Sequence, residues 1–261
     1  MSDRLTTFVY PMISFIVLIV VWTLSIDFFN VPNYILPAPG DVLQQLKYGY
    51  VDGAFWPHFA FTLRSTLTGY VLGCTCAILV GALLAESRTF EKFVYPFVVA
   101  LQSMPKVALA PLIIVWFGYG MSSKIIMVGL MCFFPLFVNT IIGIRQTDPA
   151  LVNMMRSFSA SKWLVFRRVK LYAAASHIFA GLQISIVLSL IGAVVSEFVA
   201  SSRGIGWLIQ ASLANFNTAQ MFAALCSLIA MGLIGTKIVQ IAHKRLLFWD
   251  RQKDTMTVAS H

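Results

Sequence analysis

Lys106 and Glu197 stand out as ionisable side chains inside long apolar runs. In lipid each is costly unless it meets water, a partner charge or a solute. Lys106 lies in Leu101-Gln-Ser-Met104-Pro105-Lys106-Val-Ala-Leu-Ala-Pro111, where two prolines each remove a backbone donor and kink the helix. Broken helices at membrane depth are tolerated where they line a cavity or are buried in protein. Met104 and Lys106 are therefore expected to line a pathway, with Lys106 leaning towards an anion. The competing reading is a lysine that snorkels to the membrane surface. Glu197 continues a four-spaced ridge of small residues, Gly181, Ser185, Ser189 and Ala193, which points it into a helix bundle. Its alternative is an interfacial carboxylate paired with Arg203. Phe134-Pro135 followed by Asn139-Thr140 offers an aromatic constriction and an amide. The plainer account is a proline kink with Phe134 in the core.

Other chemistry is missing. No G-x-x-x-x-G-K-[ST] phosphate loop occurs, and Gly232-Leu-Ile-Gly-Thr-Lys237 has the wrong spacing. The histidines at 58, 177, 243 and 261 have no metal-ligand spacing. No span face carries paired carboxylates for acid–base work. Cys74, Cys76, Cys132 and Cys226 all fall within apolar runs and read as small buried residues, not as a disulfide framework. The chain is thus expected to be no enzyme and to bind no metal or cofactor itself. If it moves a solute uphill, the energy comes from elsewhere.

The elements that position these residues are membrane spans. The 261 residues are 59% hydrophobic and 11% charged, with mean hydropathy +0.82, too much apolar surface for a soluble domain. Apolar runs at about 8–28, 62–85, 93–118, 124–143, 177–199 and 219–242 each approach the roughly 20 residues a spanning helix needs. The expected fold is an all-α polytopic membrane protein of about six spans, a single transmembrane domain over 1–261 with a polar tail at 250–261. The first run lacks a cleavage site and reads as an anchor. Gly69, Gly73, Ala77, Gly81 and Ala85 form a second small-residue ridge for close helix packing. Between the first two spans, Asp41 is expected to cap a short amphipathic helix through Val42, Leu43 and Leu46. Trp207-Leu-Ile is expected to begin a short interfacial helix.

Net charge +9 fits topology better than nucleic acid, because the bases sit in short loops between apolar runs. With the amino terminus in the cytoplasm, fourteen Lys and Arg fall on the cytoplasmic side and only Lys47, Arg64, Lys124 and Arg203 outside. Both termini and the central loop, 145–176, are therefore expected inside. That loop carries Arg145, Arg156, Lys162, Arg167, Arg168 and Lys170 against one acid, Asp148. Thr147-Asp148-Pro149 is a helix-start signal. The spacing of Met154, Met155 and Phe158, then Trp163, Phe166 and Val169, predicts two short amphipathic helices, separated by Ser157-Phe-Ser159-Ala160-Ser161 with Ser161 as the second cap. A Met-rich amphipathic surface suits docking of a soluble partner; a basic loop that holds anionic headgroups is the alternative.

Taken together, these residues resemble the permease subunits of bacterial ABC importers, in the nitrate/sulfonate/taurine branch of the binding-protein-dependent family. The likeness runs from about Leu36 to about Leu247. It rests on Leu36-Pro37-Ala-Pro39, Pro105-x5-Pro111-Leu112 with Trp116-Phe117-Gly118-x-Gly120, Phe134-Pro135, Asp148-Pro149, Phe166-Arg-Arg-Val169, Ile191-Gly-Ala-Val-Val-x-Glu197 and Gly204-Ile-Gly206. It implies a type I importer permease fold and a bacterial inner-membrane location. Residues 154–163 (Met154, Met155, Arg156, Ser157, Phe158, Ser159, Ala160, Ser161, Lys162, Trp163) would couple to an ATPase. The working unit would hold a second copy of the chain, two ATPase subunits carrying ATP and Mg, and a periplasmic solute-binding protein. The solute would be a small anion such as a sulfonate, taurine or nitrate, with a pyrimidine-type vitamin precursor or an aromatic acid as the alternative. From another class, an ATP-independent channel or ion-coupled carrier is the competing function. Asn153-Met154-Met155, Ser159, Tyr172 and Ser176 depart from the branch's Glu-Ala-Ala, glycine and two prolines, and loss of the glycine implies a slightly different turn.

Overall fold

The computed structural model describes residues 2–247, all of them helical or in loops, with no strand. The tail expected at 250–261 lies outside the described residues. Among those described, five helices are long and apolar enough to cross a membrane, or six if one bent pair counts as a span. They are α1 (Ser2–Phe29), α3 (Trp56–Glu86), α6 (Met121–Arg145), the 39-residue run Lys162–Ala200 and α11 (Thr218–Leu246). The bent pair joins α4 (Arg88–Ser103) to a 3-10 turn (Lys106–Leu109) and α5 (Ala110–Phe117), at 92°.

The break has a local cause. Proline disfavours helical backbone in the residue before it, and Met104, preceding Pro105, is extended at φ −75°, ψ 136°. The span predicted over 93–118 is therefore a corner and not a kinked rod.

By their contacts the described residues divide into two compact units, 2–61 with Arg203–Ile229, and Thr62–Ser202 with 230–247. In the first, α2 (Pro39–Tyr50) and α10 (Ile205–Ala214) share a core of Val42, Phe55, Ile205, Leu208, Ile209, Ala223 and Ala224. Asp41 is not the cap of α2. The helix starts two residues earlier at Pro39, whose fixed φ and missing N–H suit the first turn, and Asp41 lies inside that turn. The helix expected at Trp207 is α10.

In the second unit α6 is the central post. The ridge on α3 lies against it so closely that a methyl group on Gly73 would stand 2.7 Å from the Gly129 Cα, and one on Gly69 2.5 Å from the Val128 Cβ. On the other side, α9 (Leu171–Ala200) sets Gly181 against Leu136 and Asn139, and Gly192 against Val128 and Met131. Ser185 Oγ donates to the Cys132 carbonyl at 2.8 Å. Inside lipid such backbone proximity replaces hydrophobic collapse as the force between helices.

The second short helix predicted in the loop is not a separate element. α8 (Lys162–Val165) passes through a π turn (Phe166–Lys170) directly into α9, one run to Ala200. Tyr172 and Ser176 both keep the N–H that a proline would lack, so nothing stops the helix.

Candidate pathway and coupling surfaces

Around the corner at Met104–Pro105, Lys106, Phe134 and Asn139 come together. They line one cavity of about 340 Å³ with Gln102, Met131, Pro135, Val138, Ile184 and Leu188. Lys106 Nζ stands 4.8 Å from the centroid of the Phe134 ring, within cation–π range, and 3.4 Å from the Gln102 carbonyl. Its ammonium thus faces the cavity. Asn139 Nδ2 donates to the Pro135 carbonyl at 2.8 Å. Phe134 is itself 5% exposed and belongs both to the core and to the cavity wall. Met104 is exposed at the corner, outside that lining.

Glu197 is elsewhere. It is fully buried at the far end of the bundle from the 145–170 loop, where the Thr62 hydroxyl faces its two carboxylate oxygens at 2.8 and 3.1 Å. Lys124, also fully buried, donates to the carbonyls of Tyr119 and Ala200 and lies within electrostatic reach of Glu197. Ala200 ends α9, so the ammonium satisfies one of the carbonyls a helix terminus leaves free and sits at the negative end of its dipole. Positive-inside counting puts Lys124 on the outer side, at the start of the span 124–143. Its register with Met127, Val128 and Met131, all buried on α6, was the available signal that it faces inward. Thr62 carried none.

At the loop end, α7 (Pro149–Ser157) is capped by its own chain. Asp148 Oδ1 accepts from the Ala150 N–H at 2.8 Å. At the other terminus Ala160 N–H donates to the Met155 carbonyl and Ser159 N–H to that of Arg156, the paired bonds of a helix-ending turn that needs a left-handed residue. That residue is Ser159, at φ +56°. The turn is therefore the glycine-type turn after all, with serine bearing the strain. Ser161 Oγ then accepts from Leu164 N–H at 3.2 Å, as expected for a cap.

With its backbone satisfied, the loop displays apolar side chains: Met154 is 50%, Phe158 77% and Trp163 67% exposed. Met155 is half-buried, while Arg156, Ser157, Ser159, Ser161 and Lys162 are exposed and Ala160 is intermediate. Trp163 stacks on Phe166 at 5.7 Å. Two ion pairs tie the loop's flanks to the α3–α4 turn, Arg145 Nη2 to Glu91 Oε2 at 2.6 Å and Lys170 Nζ to Glu86 Oε1. No sequence signal marks pairs so distant along the chain.

Residues 69–248 match the family described as binding-protein-dependent transport system inner membrane component. A probable ABC transporter permease protein of Haemophilus influenzae is 35% identical over 223 residues, 85% of this chain and 90% of that one. A riboflavin transport system permease protein of Chloroflexus aurantiacus is 33% identical over 238 residues, 91% and 89% of the two chains. A putative aliphatic sulfonates transport permease protein of Bacillus subtilis is 28% identical over 233 residues, 89% and 84%. In structure, the chain resembles a solved inward-facing MetNI methionine ABC transporter at a TM-score of 0.58 and 20% identity, over 73% of this chain and 91% of that one.

Proposed function

The chain belongs to the family of inner-membrane components of binding-protein-dependent transport systems, and we propose that it couples an ATPase to solute movement through the loop at 145–176. As a member it is a multi-pass, non-catalytic permease subunit of an ABC importer, with ATP hydrolysed on a separate subunit. Two copies, one permease domain each, enclose the pathway as a two-fold dimer. Both termini and the loop face the cytoplasm, where two ATPase subunits dock; a periplasmic binding protein delivers solute opposite.

The observation that carries this reading is the exposure of Met154, Phe158 and Trp163 on a loop whose helix ends are already capped. Such apolar anchors, rimmed by Arg156 and Lys162, suit a groove on a soluble partner. Charge insertion tests it: Met155→Glu should abolish copurification of the ATPase subunit, and an undiminished complex would refute docking at this surface.

The solute is a small anion such as a sulfonate, taurine or nitrate, received by Lys106 in the cavity with Phe134 and Asn139. The aromatic and aliphatic walls of that cavity favour, as a second reading, an aromatic acid or pyrimidine-type precursor with an apolar body. Met104, exposed at the corner, joins the lining where the second copy faces it, whereas Glu197, buried on Thr62, holds the bundle rather than the solute. Lys106→Ala should lower ATP-driven uptake by about tenfold or more, as expected where a charge contact made by solute is removed, with complex assembly intact; unchanged uptake would return Lys106 to a surface role.

A further inference from the structure

The cavity at Lys106 does not end there. Gln102 and Val138 are shared with a second cavity of about 380 Å³, lined also by Tyr95, Val98, Phe137 and, at its loop end, Arg145. The two lie end to end between α4 and α6, with Lys106 at one extreme and Arg145 at the other. One turn beyond Tyr95, Arg145 reaches from the last residue of α6 across to Glu91 in the first turn of α4.

We propose that the Arg145–Glu91 ion pair is the loop-end gate of an anion path that follows the α4–α6 groove from Lys106 to Arg145, its open side walled by the second copy. The proposal rests on the reading of Lys106 as a pathway residue.

Three observations carry it. First, Glu86 and Glu91 are the only acids between Asp52 and Asp148, and both are spent on bases that flank the loop. A chain with 19 basic and 10 acidic residues has few carboxylates to place. Second, α4 is lightly anchored. Val98 is its one buried side chain among those described, and Phe93 and Phe97 are both 72% exposed. α4 is thus held within this chain mainly at Val98, the corner at Met104–Pro105 and the ion pair at its other end. Third, the pair is partly open to solvent, at 43% for Arg145 and 26% for Glu91, and ion pairs so exposed are weak in net terms. A shift of the loop can open it. Glu91 and an anionic solute also compete for one guanidinium, whose planar donor fork suits a carboxylate or sulfonate equally. Opening the pair therefore offers the leaving anion its next station.

The test reads access to Gln102, where the two cavities meet. The chain carries Gln102→Cys and is assembled with its ATPase in nucleotide-free vesicles. Two thiol reagents of similar size are applied from the loop side, the anionic sulfonatoethyl and the cationic trimethylammonioethyl methanethiosulfonate. Rates are taken above those of the parent chain, which holds Cys76 and Cys226 exposed. Glu91→Gln should raise the anionic reagent's rate about tenfold, the scale on which a freed charge in a cleft steers a ligand, and the cationic one's far less. The swap Glu91→Arg with Arg145→Glu should restore the slow rate by closing the pair again. Unchanged anionic access in Glu91→Gln, equal acceleration of both reagents, or a swap that stays fast would each overturn the gate. None of those outcomes touches the functional reading, which stands or falls on Lys106→Ala uptake and ATPase copurification.

Discussion

The two ends of the α3–α6–α9 bundle use charge in opposite ways. At the far end Glu197 and Lys124 are wholly buried, Glu197 facing the Thr62 hydroxyl and Lys124 donating to the Tyr119 and Ala200 carbonyls. At the loop end the charges are half-exposed, the ion pairs join separate elements, and large apolar side chains face outward. A buried carboxylate and ammonium cost several kcal/mol each unless fully satisfied, so a site that tolerates them is one that does not move. Half-exposed pairs cost little to break and remake. The contrast supports the proposal that one end holds the helices together while the other takes up motion from a partner.

The largest expected effect tests the fixed end. Glu197→Ala removes the buried acceptor of Thr62, a loss of about 3 kcal/mol, at the top of the range for a buried donor left unsatisfied beside a deleted charged partner. The thermal unfolding of the purified complex should shift strongly downward; an unchanged midpoint would put Glu197 in water and dissolve the comparison. Next comes the bundle between the ends. Gly73→Ala sets a methyl 2.7 Å from the Gly129 backbone, where no flexible side chain can yield, and overpacking of this kind costs about 1–3 kcal/mol. Detergent stability of the variant reads it, and wild-type stability would show that α3 and α6 are not in this contact.

Smaller effects belong to the loop. Ser159→Gly relieves a left-handed serine, worth about 1 kcal/mol, and should slow hydrogen exchange of the amides over 157–161; faster exchange would mean that the serine side chain holds the turn. Smallest of all, Phe158→Glu should leave unfolding within about 0.5 kcal/mol of the parent, as surface substitutions do, while abolishing ATPase binding. A large loss of stability would make Phe158 part of the chain's own core and erase the difference between the ends.

Much of this was legible before any coordinates, for a physical reason. Lipid forces the backbone into helices and close packing into small residues, so the ridges at Gly69–Ala85 and Gly181–Ala193 announced both spans and their packed faces. Asp148 and Ser161 signalled their caps, and Pro105 its break. What the sequence hid depends on distant partners. Arg145 with Glu91 and Lys170 with Glu86 are contacts between elements that no local pattern relates. Lys124 reads in the sequence as an outer-side charge at the start of a span, and only the end of α9 shows which carbonyls it serves. The polar stretch before residue 177 reads as a boundary, whereas only a residue lacking its N–H, or a left-handed turn, ends a helix, so the second loop helix runs on into α9. Ser159 shows the converse, a turn kept by the backbone without the residue that favours it.

The most direct test of the central claim uses proteoliposomes that hold this chain with its ATPase subunit and binding protein. ATP should drive accumulation of solute, and Met155→Glu in the same chain should stop it while the purified ATPase subunit still hydrolyses ATP by itself. Accumulation that persists in the variant, or that the chain achieves with no ATPase present, would contradict the account.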